Sequence, residues 1–413
     1  MAQGRKANSA TGASRAMVAM LTIFFLLYGG MHAYVFAKAE AALGLAPAGR
    51  LAIAAWMVLM TLLPLILWRL EKHERHALVR IGAWVGYTWM GFIFLFFWIA
   101  LAFDVLGLLA AYASAELYRH SGAMPFTDSS VFYPATALAL GATVYGYFEA
   151  RAIRVERIRL RTAKLPAAFG RVKIIQISDV HLGALVGARR LRRIVARIQA
   201  LDPDLLVSTG DLVDGQGDHL DGLARLFQEF RPRLGKFAVT GNHEFFVGAD
   251  RALDFTARAG FTVLRGEAAS LAGVLTIAGV DDPAGRWMGV PVLTDEKALL
   301  SALPRERFTL LLKHQPVVDR NSLGLFDLQL SGHTHGGQIF PFGLLARLAY
   351  RMRSGLTPLT PHGHLYVSRG AGTWGPPLRV FAPPEITLVE IEAVNDGEVV
   401  GGDFYIGMWP AIL

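Results

Sequence analysis

Four long apolar stretches crowd the first 150 residues of this 413-residue chain: 17–36, 51–68, 81–101 and 132–148. Each is near the ~20 residues needed to cross a hydrocarbon layer of about 30 Å. Residues 89–101 (WMGFIFLFFWIAL) carry no charge at all, so they offer no polar face for a soluble helical bundle. The pattern predicts four transmembrane helices over 17–150. The third can extend to residue 112, which brings Asp104 into it. An ionisable group there is a functional candidate, although the spacing puts it at the far interface. The first stretch does not read as a cleaved leader, because three spans come after it and no small-residue cleavage site is clear.

Basic residues near the span ends set the orientation. Arg5, Lys6 and Arg15 precede the first span. Arg69, Lys72, Arg75 and Arg80 join the second and third, and Arg151, Arg154, Arg157, Arg159, Arg161 and Lys164 come after the fourth. The opposite side offers Lys38, Arg50 and Arg119, so the balance is thirteen to three. This predicts an integral, multi-pass protein of the inner membrane with both termini and the downstream domain cytoplasmic. The net charge of +8 divides the same way: +3 over 1–150, +5 over 151–164 and zero beyond. A basic surplus beside the bilayer suits anionic headgroups and argues against a nucleic-acid partner for the downstream domain. Cysteine is absent, which excludes disulfides, thiolate metal sites and a cysteine nucleophile.

From residue 171 the texture becomes short β-branched runs alternating with helix-like segments, an α/β pattern. The runs are 172–178, 205–209, 237–240, 274–280, 308–313, 328–331, 364–368 and 385–391. The helix-like segments are 189–201, 219–230 and 251–260. The chain therefore divides into a cytoplasmic tail 1–16, four transmembrane helices 17–150, a basic juxtamembrane linker 151–168, a catalytic α/β domain 169–395 and a C-terminal segment 396–413.

The residues just past the strands are more telling. Asp179-Val180-His181 ends the first, Gly210-Asp211-Leu212-Val213-Asp214 the second, and Gly241-Asn242-His243-Glu244 the third. His314 and then Gly332-His333-Thr334-His335-Gly336-Gly337 end two later ones. Open α/β sheets place ligands at the carboxyl ends of their strands. Asp179, His181, Asp211, Asn242, His314, His333 and His335 offer oxygen and nitrogen without sulfur, a donor set for Mn²⁺, Fe²⁺ or Zn²⁺. Seven groups are too many for one tetrahedral ion and suit two divalent ions sharing a carboxylate. Such a pair lowers the pKa of a coordinated water toward ~7 and neutralises phosphoryl oxygens. His243 is left over as a proton donor to a phosphoryl or leaving oxygen.

These blocks, D-x-H, G-D-x-x-D, G-N-H-[DE], a lone H and G-H-x-H in order, resemble the calcineurin-like metallophosphoesterase superfamily over roughly residues 171–370. The resemblance implies a four-layer αββα sandwich. It also implies one metal on Asp179, His181 and His335, a second on Asn242, His314 and His333, Asp211 bridging, and His243 as the catalytic acid or transition-state donor. Glu244 stands where many members have Asp. Residues 178–183, 279–283, 314–316 and 331–338 look like the membrane-linked bacterial branch, some of whose members are UDP-2,3-diacylglucosamine pyrophosphatase-type enzymes of lipid metabolism. The implied function is hydrolysis of a phosphodiester or pyrophosphate bond by a metal-bound hydroxide. The implied partners are the phospholipid bilayer and a lipid-linked phosphate or pyrophosphate substrate. The alternatives are an anchored phosphodiesterase or phosphatase on soluble substrates and a non-catalytic sensor or regulatory module.

Other positions leave two readings open. Asp214 can orient a ligand or cap a helix. Asp281 and Asp282 suit a turn, and Arg369 suits either a substrate phosphate or a salt bridge. Residues 342–353 form a basic amphipathic pattern, with Leu344, Leu345, Leu348 and Met352 near one face and Arg347, Arg351 and Arg353 elsewhere. Such a helix either lies on a membrane or packs on its own domain.

Overall fold

The computed structural model describes residues 2–71, 76–113, 128–215, 220–292, 295–350 and 353–394. They form two compact units. Residues 396–413, expected as a separate segment, lie outside the described residues.

The helical unit comprises Ser14–Phe148 together with Gly375–Val380. Its helices run Ala2–Leu43, Pro47–Glu71, His76–Ala113 and Asp128–Glu149. Three of them hold segments long and apolar enough to cross a membrane: Leu21–Leu43, Pro47–Glu71 and Ala77–Ala113. The fourth expected span is a 22-residue helix that is not one of these three. Pro134, Thr136 and Thr143 dilute its apolar run, and both threonine hydroxyls donate back to carbonyls of their own helix, at 2.8 and 2.7 Å.

Lys38 Nζ donates to Asp104 at 2.8 Å and to Asp128 at 3.2 Å, and the Tyr34 hydroxyl donates to Asp104 at 2.6 Å. The late turns of the first and third helices thus meet the first turn of the fourth, which runs antiparallel to both. His32 is saturated, because its Nδ1–H donates to the Tyr28 carbonyl at 2.9 Å and its Nε2 accepts from Trp89 at 3.0 Å. Residues Gly375–Val380 pack closely on two helical glycines. A Cβ on Gly91 would stand 2.5 Å from Leu378 Cδ1, and one on Gly146 would stand 2.9 Å from Val380 Cγ2. The Arg379 N–H donates to the Gly146 carbonyl at 2.9 Å.

The second unit is α/β. Its strands are β1 (Arg154–Thr162), β2 (Arg171–Ile177), β3 (Leu205–Ser208), β4 (Lys236–Ala238), β5 (Thr262–Val263), β6 (Glu267–Leu271), β7 (Leu275–Gly279), β8 (Phe308–Leu312), β9 (Leu328–Ser331), β10 (Gly355–Pro358), β11 (His364–Val367) and β12 (Glu385–Ala393). They form two six-stranded mixed sheets, in the orders β1-β12-β2-β3-β4-β5 and β10-β11-β9-β8-β7-β6. Within them β2, β3, β4 and β5 run parallel, as do β7, β8, β9 and β11.

Strand β1 corrects one expectation. Residues 151–168 were expected as a linker, yet 154–162 pair in register with β12. The reason is a period-two pattern hidden under the charge: Ile158 and Leu160 are buried while Arg157, Arg159 and Arg161 face outward.

Ile158, Ile174 and Val207 of the first sheet pack in one core with Ile277, Leu310 and Leu330 of the second. On the other side of the first sheet, Ile175, Ile177 and Leu206 pack with helix Ala188–Leu201. That helix buries Leu191, Ile194, Val195 and Ile198, the i, i+3, i+4, i+7 spacing of an apolar stripe. Each such side chain contributes about 1.5–3 kcal/mol when fully buried. Ala278 and Leu311 of the second sheet pack with Leu300 of helix Glu296–Ser301. Gln176 of β2 cross-links the sheets, because its amide donates to the Ser331 carbonyl of β9 at 2.9 Å and to Thr209 at 2.8 Å.

Candidate metal centre

The carboxyl ends of β2, β3, β4, β8 and β9 open onto one place, and all seven candidate ligands and His243 lie there. Asp179 and His181 come after β2, Asp211 after β3, Asn242 after β4, His314 after β8, and His333 and His335 after β9. Their backbones are unusual. Asp179, His181, Asp211, His333 and His335 have φ of 51°, 53°, 52°, 71° and 50°. Left-handed conformations at non-glycine residues cost on the order of 1–3 kcal/mol each and persist only where surrounding structure enforces them.

The enforcing bonds are visible. Both oxygens of Glu244 accept backbone N–H groups: Oε2 from Asp211 at 2.9 Å and Gly241 at 2.6 Å, Oε1 from Leu212 at 2.8 Å and Val213 at 3.2 Å. One buried carboxylate therefore staples the loop after β3 to the turn after β4. Gly241 makes room for this approach, since a Cβ there would stand 2.1 Å from Asp211 Oδ1. Asp179 does a similar task by accepting the His333 N–H on both oxygens, at 3.0 and 3.1 Å.

The donor atoms of the seven candidate ligands form two groups, and His243 makes a further close set with His181 and Asp211. In one, the Nε2 atoms of His181 and His335 stand 3.0 Å apart, with Asp179 Oδ1 3.5 Å from His335 and Asp211 Oδ2 3.8 Å from His181. In the other, Asn242 Oδ1, His314 Nε2 and His333 Nδ1 lie 2.9–3.1 Å from one another, and Asp211 Oδ2 is 3.1 Å from His314. Ligand atoms about 2.1 Å from a common ion sit ~3.0–3.4 Å from each other, so the second group has that spacing throughout, and the first has it at its histidine pair with its carboxylates a few tenths of an ångström farther out. Asp211 belongs to both. The Nδ1–H of His314 donates to the Thr209 carbonyl at 2.7 Å, which turns its other nitrogen toward the cluster.

Charge gives the same answer. Asp179 and Asp211 are buried, and among the described residues neither pairs with a lysine or an arginine. Burial works against the Asp211 charge, yet His314 and His243 hold its carboxyl well below the usual range. Burial likewise opposes charge on His314, and Asp211 raises it far above the imidazole range. Burial and that neighbouring charge push His333 down to about 3. The buried carboxylates thus push His314, and also His243, toward the charged imidazolium form. A divalent ion would offset them without protonating any ligand.

His243 stands beside the clusters. Its Nδ1–H donates to Asp214 Oδ1 at 2.6 Å, and its ring lies 4.6 Å from His181 and 5.5 Å from Trp374. Burial lowers the His243 pKa, and the Asp214 carboxylate outweighs it, raising the imidazole to about 9. In return, burial tends to raise Asp214, but His243 holds it well below the carboxylate range. Asp214 is thus bonded to the His243 imidazole and stands 3.6 Å from His181 Nδ1.

The remaining readings also resolve. Asp282 accepts the Ala284 N–H at 2.8 Å, as a turn residue does, and also takes Gln315 at 3.2 Å. Arg369 is engaged by Glu156, by Glu385 at 2.6 Å and by the Pro383 carbonyl at 2.9 Å, which is the salt-bridge alternative. Sequence reasoning missed the Glu244 clamp, although its residue was in view. It also missed Tyr350, whose hydroxyl lies 2.5 Å from His333 Nε2; no local signal marks that tyrosine.

A family model for calcineurin-like phosphoesterases matches residues 172–337. An uncharacterized metallophosphoesterase from Aquifex aeolicus is 43% identical over 257 residues, covering 62% of this chain and 97% of its own length. The chain belongs to the calcineurin-like metallophosphoesterases. It is a metal-dependent phosphoester hydrolase. A second relative, an uncharacterized metallophosphoesterase from Bacillus subtilis, is 33% identical across 63% of this chain and 95% of its own. A zebrafish (Danio rerio) transmembrane protein with metallophosphoesterase domain is 33% identical, and the match spans 62% of each chain.

Proposed function

We propose that this metallophosphoesterase is dinuclear and hydrolyses a phosphodiester or pyrophosphate bond in a membrane-associated substrate, such as a nucleotide-linked lipid. The observation that carries the proposal is the pair of donor groups sharing Asp211, drawn from five strand ends. Asp179, His181 and His335 would hold one ion, Asn242, His314 and His333 the other, and Asp211 both. Manganese, iron and zinc all suit these donors. When bound, such a pair supplies Lewis acidity that polarises a phosphoryl group and acidifies water near neutral pH. The chain's own residues do the rest. Asp214 holds Nδ1–H of His243, so Nε2 is the nitrogen that offers a proton to the phosphoryl or leaving oxygen. Thr209 holds His314 in the matching tautomer, and the Glu244 clamp keeps Asp211 between the two groups. No covalent nucleophile is required.

The same reading takes helix Asp128–Glu149 as a fourth span and the domain as helix, sheet, sheet and helix in four layers. The Lys38–Asp104–Asp128 contact supports the first, because it puts the start of that helix level with the ends of two others. The three core clusters support the second. With four spans both termini share one side, and the basic residues assign that side to the cytoplasm.

The test is a substrate screen of the purified full chain in detergent with each candidate metal, read by phosphorus NMR. We expect turnover of a lipid phosphodiester or pyrophosphate. Turnover of free nucleotides with none of any lipid would leave the helices as a mere anchor and end the lipid reading.

A further inference from the structure

Beside the metal centre lies an apolar surface that this chemistry does not use. None of the nine residues of helix Phe342–Tyr350 is buried. Phe342, Leu344, Leu345 and Leu348 are exposed, Leu348 to 76%, as are Phe340 and, to 74%, Phe381. The rings of Phe340 and Phe381 lie 6.1 Å apart. Gln338 ties the surface to the neighbouring loop, donating to the Trp374 carbonyl at 2.8 Å and accepting the Trp374 N–H at 2.9 Å. The inner edge of the surface is the site itself, since Trp374 meets His243 and Tyr350 meets His333. Apolar patches of this kind on a protein surface mark an interaction site.

Three observations select a lipid bilayer as the occupant. Among the described residues, three helices are long and apolar enough to cross a membrane. Trp374 and Phe381 are the chain neighbours of Gly375–Val380, a segment that belongs to the helical unit. Arg347 and Arg353 are exposed among the apolar positions, the mixture that interfacial helices use on anionic membranes.

We propose that Phe340, Phe342, Leu344, Leu345, Leu348 and Phe381 seat in the bilayer interface, so that a lipid phosphate reaches the metal centre while its acyl chains stay in the membrane. This rests on the lipid-substrate reading above and adds the surface that serves it.

The absence of native cysteine permits a direct test on the full chain in phosphatidylglycerol-containing vesicles. A spin label at Leu348→Cys is expected to collide more with oxygen than with a soluble nickel chelate. A label at Glu306→Cys, exposed at the amino end of β8 and so away from the strand ends that bear the site, is expected to show the reverse. Equal, water-like behaviour at both positions overturns the proposal. The double variant Leu344→Asp/Leu348→Asp changes only exposed side chains. It should lose about tenfold or more on hexadecyl p-nitrophenyl phosphate in vesicles and stay within about twofold on soluble bis(p-nitrophenyl) phosphate. Equal losses on both probes overturn the docking surface. A bilayer signature at Leu348 with hydrolysis of the soluble probe alone supports docking and overturns the lipid-substrate reading instead.

Discussion

Two polar clusters, one in the helical unit and one in the α/β unit, differ in how their charge is settled. In the helical unit, Asp104 and Asp128 share Lys38, with Tyr34 donating to the same Asp104. In the α/β unit, Asp179 and Asp211 meet imidazoles, backbone N–H groups and the Ser178 hydroxyl, and no lysine or arginine among the described residues. The first cluster carries its own ammonium, and its second acid, Asp128, keeps half of its side chain in contact with the surroundings. The second holds two fully buried carboxylates whose counter-charge comes from imidazoles alone among the described residues, a place where a cation would complete the balance. An acidic residue in an apolar setting is therefore not a functional mark by itself. What matters is whether the protein supplies its own counter-charge.

The largest expected effect falls on the residue that belongs to both donor groups. Asp211→Asn keeps the shape but removes the shared charge, and should reduce turnover of bis(p-nitrophenyl) phosphate by ~10³-fold or more. A variant with wild-type turnover and wild-type metal content would erase the contrast between the clusters. Stripping metal with a chelator should abolish turnover and lower the thermal midpoint of the full chain, with both restored by added divalent ion. An ion at 100 times its dissociation constant contributes about 2.7 kcal/mol. A midpoint indifferent to the chelator would mean the carboxylates do not need a cation.

His243→Ala should lose ~10²–10⁴-fold in turnover with metal content unchanged by elemental analysis. Asp214→Asn should lose about 10–100-fold as the imidazole loses its orienting partner. Loss of metal in either variant would move His243 from proton donor to ligand. Glu244→Gln forces an amide NH₂ against backbone N–H groups, and should destabilise the fold by about 1–3 kcal/mol, read as a fall in thermal midpoint. The smallest effect is expected from Lys38→Met. A part-exposed ion pair contributes about 0–1 kcal/mol, so turnover should stay within about twofold. A large loss of activity there would make the helical cluster functional after all.

Much of the centre was legible because its signals are local. A ligand at the end of a buried strand sits next to an apolar run, so Asp179 after 172–178 or His333 after 328–331 can be read from a few neighbours. Glu244 was equally visible, yet its role was not, because three of its four N–H donors belong to residues 211–213. Strand β1 was misread because a run of arginines looks like a topology signal, and only its partner β12, more than 200 residues away, reveals the alternation as a strand edge. Arg369 had two readings until Glu156 and Glu385 were found beside it.

Sequence alone determined that the first part of the chain holds segments apolar enough for a membrane and which atoms can bind an ion, because hydropathy and donor chemistry belong to single residues and their immediate neighbours. Tertiary structure alone decided which charges are answered from within the protein. It also decided which histidine is held by Asp214 and which apolar side chains stay uncovered, because those are facts about distances between residues far apart along the chain.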